Sequence, residues 1–208
     1  MTTPSPTPVL LIHGIWNARM WLAPFALQLR RQGLTPIVHG YASVLGTPER
    51  AVERLIARLR TRPVPYAVGY SLGGLILLEA LRRAPDLRIE RAVCLGSPLR
   101  GSAAARALSG MPGGAWLMGG SAALLREGTQ AWEGGTAVAC IAGDRARGLG
   151  GLFARFDGAS DGTVAVEETR LPGLADHCIV PASHSGLVLS AAAAAQTARF
   201  LREGRFSH

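Results

Sequence analysis

Four short apolar runs set the rhythm of the chain. Residues 9–12, 64–68, 89–95 and 136–142 are rich in Val, Ile, Leu, Ala and Cys. Runs of that length, largely apolar, suit strands covered on both faces of a sheet. Two weaker runs, 35–39 and 177–180, bring the set to about six. Between them, apolar residues recur at helical spacing. Residues 20–32 read as an amphipathic helix closed by Gly33. Residues 48–60 read as another, with Pro48 at its start and Val52, Leu55, Ile56 and Leu59 on one face. Residues 72–83 and 185–202 complete the helices. Strands alternate with helices at βαβ spacing. This predicts the α/β class, with a mainly parallel sheet and helices on both faces. All 208 residues read as one domain, long enough to bury a sizeable core.

Residues 101–135 break the alternation, being longer than a plain crossover requires. They hold Met111, Trp116, Leu117, Met118, Leu124, Leu125 and Trp132 among many Gly and Ala. One reading is a small cap or lid that walls an acyl site. The other is an ordinary crossover packed on the sheet, with Trp116 and Leu124 in the core.

Composition narrows the partners. The chain carries a net charge of +8, and its 22 basic residues are all arginine. No basic run exceeds two residues, and pairs such as Arg30-Arg31 and Arg82-Arg83 read as solvated helix faces. A nucleic-acid partner is not expected. The charge allows only a weak, unspecific attraction to anionic membrane surfaces. Cys94, Cys140 and Cys178 are an odd set with no metal-type spacing. Cys94 and Cys140 fall in apolar runs and read as core, while a single disulfide among the three stays open. Residues 1–8 lack the charged start of a secretion signal, and no stretch has the length and purity of a membrane span. A cytoplasmic location is the expectation. Nothing in the pattern reports an oligomeric state.

The chemistry gathers at the ends of the strands. Ligands of parallel sheets bind at the strands' carboxyl edge. His13, Ser71, Ser97, Asp144 and the loops holding Asp161 and His184 all follow predicted strands. Gly69-Tyr70-Ser71-Leu72-Gly73 is a G-x-S-x-G pattern between a strand and a helix, the setting of a nucleophile elbow. A serine hydroxyl needs a base to take its proton, and the base needs a carboxylate to fix its tautomer. In this architecture the order along the chain is serine, acid, histidine. His184 sits in a loop after the last strand and is the base. Asp161, in a Gly-rich turn, is the preferred acid. Asp144, which directly ends a strand, is the alternative, with a turn-forming role as its plainer reading. Acyl transfer also needs N–H donors aimed at the developing oxyanion. The N–H of Leu72 is one; the N–H of Ile15, or next Trp16, is the other, with His13 and Gly14 shaping that loop. The histidines are scattered without an H-x-x-x-H pair, so no metal is expected, and no other cofactor is required.

Several segments together carry a family likeness. His13-Gly14-Ile15, Gly69 to Gly74, Ser97-Pro98-Leu99-Arg100-Gly101-Ser102, Ser160-Asp161-Gly162-Thr163-Val164 and His184-Ser185-Gly186-Leu187 stand in one order. In that order they resemble the oxyanion loop, elbow, post-strand segment, acid loop and histidine loop of α/β-hydrolases of the small lipase and esterase group. The resemblance implies the α/β-hydrolase fold with a minimal cap, the triad Ser71, Asp161 and His184, and hydrolysis of a small-molecule or lipid ester. The same triad serves thioesterases, amidases and acyltransferases, and a non-catalytic relative would share the fold. Tyr70 stands where the group often has histidine, the chain begins directly at the oxyanion strand, and the cap is short. These departures favour a compact esterase over a secreted lipase for long-chain fats. Trp16, Met20, Trp21, Tyr70, Trp116 and Trp132 are candidates to line the substrate site; each is also a plain core residue by type.

Overall fold

Two prolines and a glycine-rich elbow decide where the central strand Tyr66–Tyr70 begins and ends. The computed structural model describes residues 7–15, 19–43, 46–146 and 158–208. Its sheet has six parallel strands: β1 (Thr7–Ile12), β2 (Leu34–His39), β3 (Tyr66–Tyr70), β4 (Arg91–Leu95), β5 (Ala137–Gly143) and β6 (Asp176–Val180). Their order is β2-β1-β3-β4-β5-β6. The order reverses between β1 and β3, which is where such a sheet opens a crevice at its carboxyl edge. Ile12 lies in register with Gly69 there, two residues before Ser71. β3 starts at Tyr66 rather than 64 because Pro63 and Pro65 cannot donate to a ladder.

Helices cover both faces. α1 (Ala23–Arg31) and α8 (Ala191–Glu203) bury Phe25, Leu29, Phe200 and Leu201 against Val9, Leu11, Val68 and Val93. α2 (Pro48–Thr61) and α3 (Leu72–Arg83) bury Leu55, Leu59, Leu75 and Ile76 against Leu10, Ile12, Ala67 and Cys94 on the other face. The successive strand residues thus feed opposite cores, as the continuous apolar runs require.

Two predicted helices are split. The stretch over 20–32 is a 3-10 turn, Arg19–Leu22, followed by α1. Pro24 in the first turn of α1 lacks the N–H that would continue a helix through it. The stretch over 185–202 is a 3-10 turn, Ser185–Leu189, then α8. Ser190 separates them with extended backbone and caps α8 through its hydroxyl and the Ala193 N–H, 3.1 Å apart.

Residues 101–135 form three short helices, α4 (Ala103–Ser109), α5 (Gly114–Met118) and α6 (Ala122–Glu127), and an irregular return to β5. Leu108, Met118, Leu125 and Trp132 join the core beneath α3, with Leu124 partly buried against it. Trp132 is anchored by its indole N–H to the Thr136 carbonyl, 2.9 Å away. Ser121 donates to the Ser43 carbonyl at 3.1 Å, tying the segment to the loop before α2. Trp116 is not a core residue: it is 81% exposed.

The three cysteines are free and buried. Cys94 and Cys140 are register partners on β4 and β5. Burial pushes the Cys94 and Cys178 thiols up to about 12, so both stay protonated near neutral pH. Among the described residues no helix is long and apolar enough to cross a membrane.

Candidate active site

Ser71 is the only described residue other than glycine with a positive φ, at 54° with ψ −122°. Such backbone costs on the order of 1–3 kcal/mol and persists only where its surroundings enforce it. Here the Ser71 N–H is held by the Leu95 carbonyl at 2.9 Å, and its own carbonyl accepts from Gly74 at 3.0 Å. The turn also needs room. A Cβ on Gly69 would lie 2.5 Å from the Gly73 carbonyl, and one on Gly73 would lie 2.4 Å from the Ile12 carbonyl. The glycines around the serine therefore let strand β3, helix α3 and the end of β1 meet.

His184 completes a chain of hydrogen bonds. Its Nε2 is 3.1 Å from Ser71 Oγ, and its Nδ1 is 2.7 Å from Asp161 Oδ2. The ionised carboxylate only accepts, so Nδ1 carries the proton and Nε2 is left to accept from the serine. Asp161 is 1% exposed. Its other oxygen accepts from the N–H groups of Thr163 at 2.9 Å and Val164 at 2.7 Å. The His184 N–H also donates to the Asp161 carbonyl at 2.8 Å. The two loops are thus sewn together through backbone as well as side chain.

The other aspartates go elsewhere. Asp144 is partly exposed and faces Arg145 at 3.4 Å. Asp86 forms an exposed two-bond pair with Arg60. Asp176 collects the N–H groups of His177 and Phe206 and the His208 ring. Asp157 lies outside the described residues.

His13 is buried. Its Nε2 accepts from the Tyr41 N–H at 3.3 Å, so the proton sits on Nδ1 and goes to the Gly14 carbonyl at 2.9 Å. Tyr41 returns a bond from its hydroxyl to the His13 carbonyl at 2.8 Å, and the two rings stack 4.5 Å apart. This fixes the loop that leads to Ile15, which packs partly buried against the α3-side core. Leu72 is the first residue of α3, where an N–H has no acceptor inside the helix and favours negative charge. Trp16 lies outside the described residues.

Tyr70 does not line an open surface; it is 2% exposed. Its hydroxyl donates to the His184 carbonyl at 3.1 Å, and its ring lies 5.2 Å from the imidazole. Burial first, then the Asp161 charge, pushes the phenol well above its ordinary value, so it stays a donor.

Two participants have weak signals in the sequence. Tyr41 sits just past β2, and only the sheet register brings it beside His13. Gly96, just past β4, has φ 58°, and a Cβ there would lie 3.4 Å from both Asp161 Oδ2 and His184 Nδ1.

A cavity of about 490 Å³ lies against the histidine loop, lined by Arg145, Pro181, Ala182, Ser183, Gly186, Leu189 and Ser190. A second, of about 480 Å³, runs along α3 beside Trp132 and Leu124 and includes none of Ser71, Asp161 or His184. Among the described residues no His, Cys, Asp and Glu cluster could hold a metal ion.

The sheet, its flanking helices and the elbow define the α/β-hydrolase fold. The chain is similar to the mature lipase BlEst2 of Bacillus licheniformis, with 21% identity over 90% of this chain and 89% of that one, at a TM-score of 0.73. It is similar to the phospholipase PlaB of Legionella pneumophila, with 15% identity, TM-score 0.69, and 94% and 59% of the two chains covered. A thioesterase domain from the curacin biosynthetic pathway aligns at 15% identity and TM-score 0.54, over 97% and 93% of the chains. No protein-family model matches the chain, and no curated protein matches it.

Proposed function

We propose that this chain is a serine hydrolase that cleaves carboxylic esters through an acyl-enzyme on Ser71. The observation that carries this reading is the unbroken path from Ser71 Oγ to His184 Nε2 at 3.1 Å and from His184 Nδ1 to Asp161 Oδ2 at 2.7 Å. It lies at the point where the strand order reverses, on a serine whose backbone is strained.

Ser71 Oγ attacks the ester carbonyl carbon as its proton passes to His184 Nε2. The imidazolium so formed is stabilised by Asp161, which keeps the Nδ1–H bond throughout. The carbonyl oxygen becomes an anion held by the N–H groups of Leu72 and Ile15. Collapse expels the alcohol, which takes the proton from Nε2. Water then enters, gives a proton to Nε2 and attacks the acyl carbon, and the acid leaves as Ser71 recovers its proton. Every group in the cycle is a side chain, a backbone amide or water. The substrate is a small-molecule or lipid ester, and the arginine-rich surface adds weak attraction to anionic interfaces.

The test is hydrolysis of p-nitrophenyl esters from acetate to palmitate, with Ser71→Ala beside the wild type. A loss on the order of 10⁴–10⁶-fold in kcat is expected, together with covalent labelling of the wild type alone by a fluorophosphonate. Equal activity in both proteins sinks the serine mechanism. The chain-length profile separates esterase from lipase.

A further inference from the structure

We infer that Glu168 is a positioning residue, a carboxylate clamp that sets Asp161 relative to the serine elbow. The inference rests on the proposed role of Ser71, Asp161 and His184.

Glu168 belongs to α7 (Val166–Thr169), the single helical turn that follows the acid loop. Its side chain is only 11% exposed. One carboxylate oxygen accepts the N–H of Ala165, where the acid loop ends, at 3.0 Å. The other accepts the N–H of Ala103, where α4 starts. Its main-chain carbonyl accepts from Arg100 at 2.9 Å. One residue therefore joins two segments that lie more than sixty positions apart in the chain.

Both segments matter to the site. Ser160 and Ala165 form an antiparallel bridge that closes the hairpin carrying Asp161. Ala165 is thus one post of that hairpin, and Glu168 holds it. The other segment begins at Ser97, whose hydroxyl faces the Gly69 carbonyl at 3.4 Å. A Cβ on Gly74 would lie 2.1 Å from that same hydroxyl, so the segment rests directly on the elbow. The path runs from the elbow through Ser97 to Arg100 and Ala103, across Glu168, and into the acid loop.

The clamp requires a carboxylate. Two N–H donors from different segments need two acceptor oxygens on one short side chain. Glutamine offers one oxygen and one NH₂, so one donor would face another donor. Among the described residues the cation paired with it, Arg106, is 3.9 Å away and largely exposed, so the backbone donors are the principal partners. Burial is the main influence pushing this carboxyl above its ordinary value, and the Asp161 charge adds to it. Retaining an acid at this cost fits a group held for geometry.

Two variants cut the clamp from opposite sides. Glu168→Gln removes one acceptor. Ala103→Pro removes one donor without touching Glu168. Proline is well tolerated at the first position of a helix, and Ser102 before it has φ −105° and ψ 121°, the extended backbone that a following proline demands. Two readouts are taken for each: kcat and KM on a p-nitrophenyl ester, and the downfield proton resonance of the His184 Nδ1–H bond to Asp161. Both variants should lower kcat roughly 10-fold, in keeping with small misplacements of reacting groups, with KM within about 2-fold of wild type. Both should also move or broaden the downfield resonance. Wild-type kcat with an unchanged resonance in both variants overturns the clamp. So does a loss of activity that follows only the unfolded fraction while the folded protein keeps the resonance. If the wild type cleaves no ester, the resonance still reads the clamp, since it needs no turnover, and only the proposed function falls.

Discussion

The Tyr70 hydroxyl donates to the main-chain carbonyl of His184 at 3.1 Å, while the Tyr70 ring sits 5.2 Å from the imidazole. The residue just before Ser71 therefore holds His184 from behind. Tyr70 thus performs through its hydroxyl what packing alone would not: it fixes the height of the His184 backbone above the elbow.

Tyr70→Phe keeps the ring and removes the hydroxyl. The His184 carbonyl loses a donor. Leaving buried polar groups unpaired costs about 1–3 kcal/mol. For a domain of this size each kcal/mol lowers Tm by roughly 2–4 °C. A several-fold fall in kcat with little change in KM is expected, because the substrate does not touch the lost group. Calorimetry and ester kinetics on the purified variant check both parts. A variant with wild-type Tm and kcat would falsify the supporting role.

Asp161→Asn and Asp144→Asn form a matched pair. Asparagine at 161 can still accept from Thr163 and Val164, but its amide then faces His184 Nδ1 with hydrogens. The imidazole is driven to the wrong tautomer, and a kcat loss of about 10³–10⁴-fold is expected from the known cost of such changes in serine proteases. Among the described residues Asp144 pairs with Arg145 at the surface. Its substitution should leave kcat within about 2-fold of wild type, as for other surface sites. Reversed results would assign the acid to Asp144.

Much of this arrangement was legible in the chain because strands buried on both faces must be apolar throughout. Residues 9–12, 89–95 and 136–142 all lie in or overlap central strands. The strand–elbow–helix signal at Ser71 was local, and so was the Gly-rich turn at Asp161. The choice between Asp161 and Asp144 was not local. Both follow strand-like runs, and only the folded loops show which carboxylate meets His184. Tyr70 was read as a lining residue because aromatic character next to a nucleophile suggests contact with substrate. Its burial comes from β3 carrying it into the α1-side core. Glu168 and Tyr41 act through backbone groups of distant segments, and backbone donors leave no imprint on composition. The stop at Pro24 could have been read locally; there the apolar periodicity of residues 20–32 masked it.

Gly96→Ala tests how tightly Asp161 and His184 are packed. Gly96 has φ 58°, and an added Cβ would lie 2.6 Å from Leu187 Cδ1. The backbone conformation alone costs an alanine about 1–2 kcal/mol. Leu187 is fully buried, so its displacement adds to that loss. Urea denaturation should show a loss of at least 1 kcal/mol. The same Cβ would lie 3.4 Å from Asp161 Oδ2 and His184 Nδ1, so kcat should fall together with stability. Stability lost with kcat intact would show that the pair tolerates motion of Leu187.

His177 predicts a pH dependence of stability separate from catalysis. Its Nε2 lies 2.8 Å from the Thr169 hydroxyl, which donates to the Val166 carbonyl, so Nε2 carries the proton. Burial first, and then Arg170, lowers its pKa to about 4, against opposing pulls from Glu167 and Asp176; His208 acts with Arg170. In the unfolded chain the ring takes its proton near pH 6.5. Between about 6.5 and 4 the unfolded state therefore binds more protons than the folded one. Stability contributed by the neutral ring is present above pH 6.5 and is lost as pH falls toward 4. His177→Gln keeps an N–H for Thr169 and cannot titrate. Chemical denaturation at half-unit steps from pH 7.5 to about 4 should give a shallower decline for the variant, with the difference in slope at most about 1.4 kcal/mol per pH unit. Parallel curves would mean that His177 is protonated in the folded protein as readily as in the unfolded one, and that Thr169 does not hold it neutral.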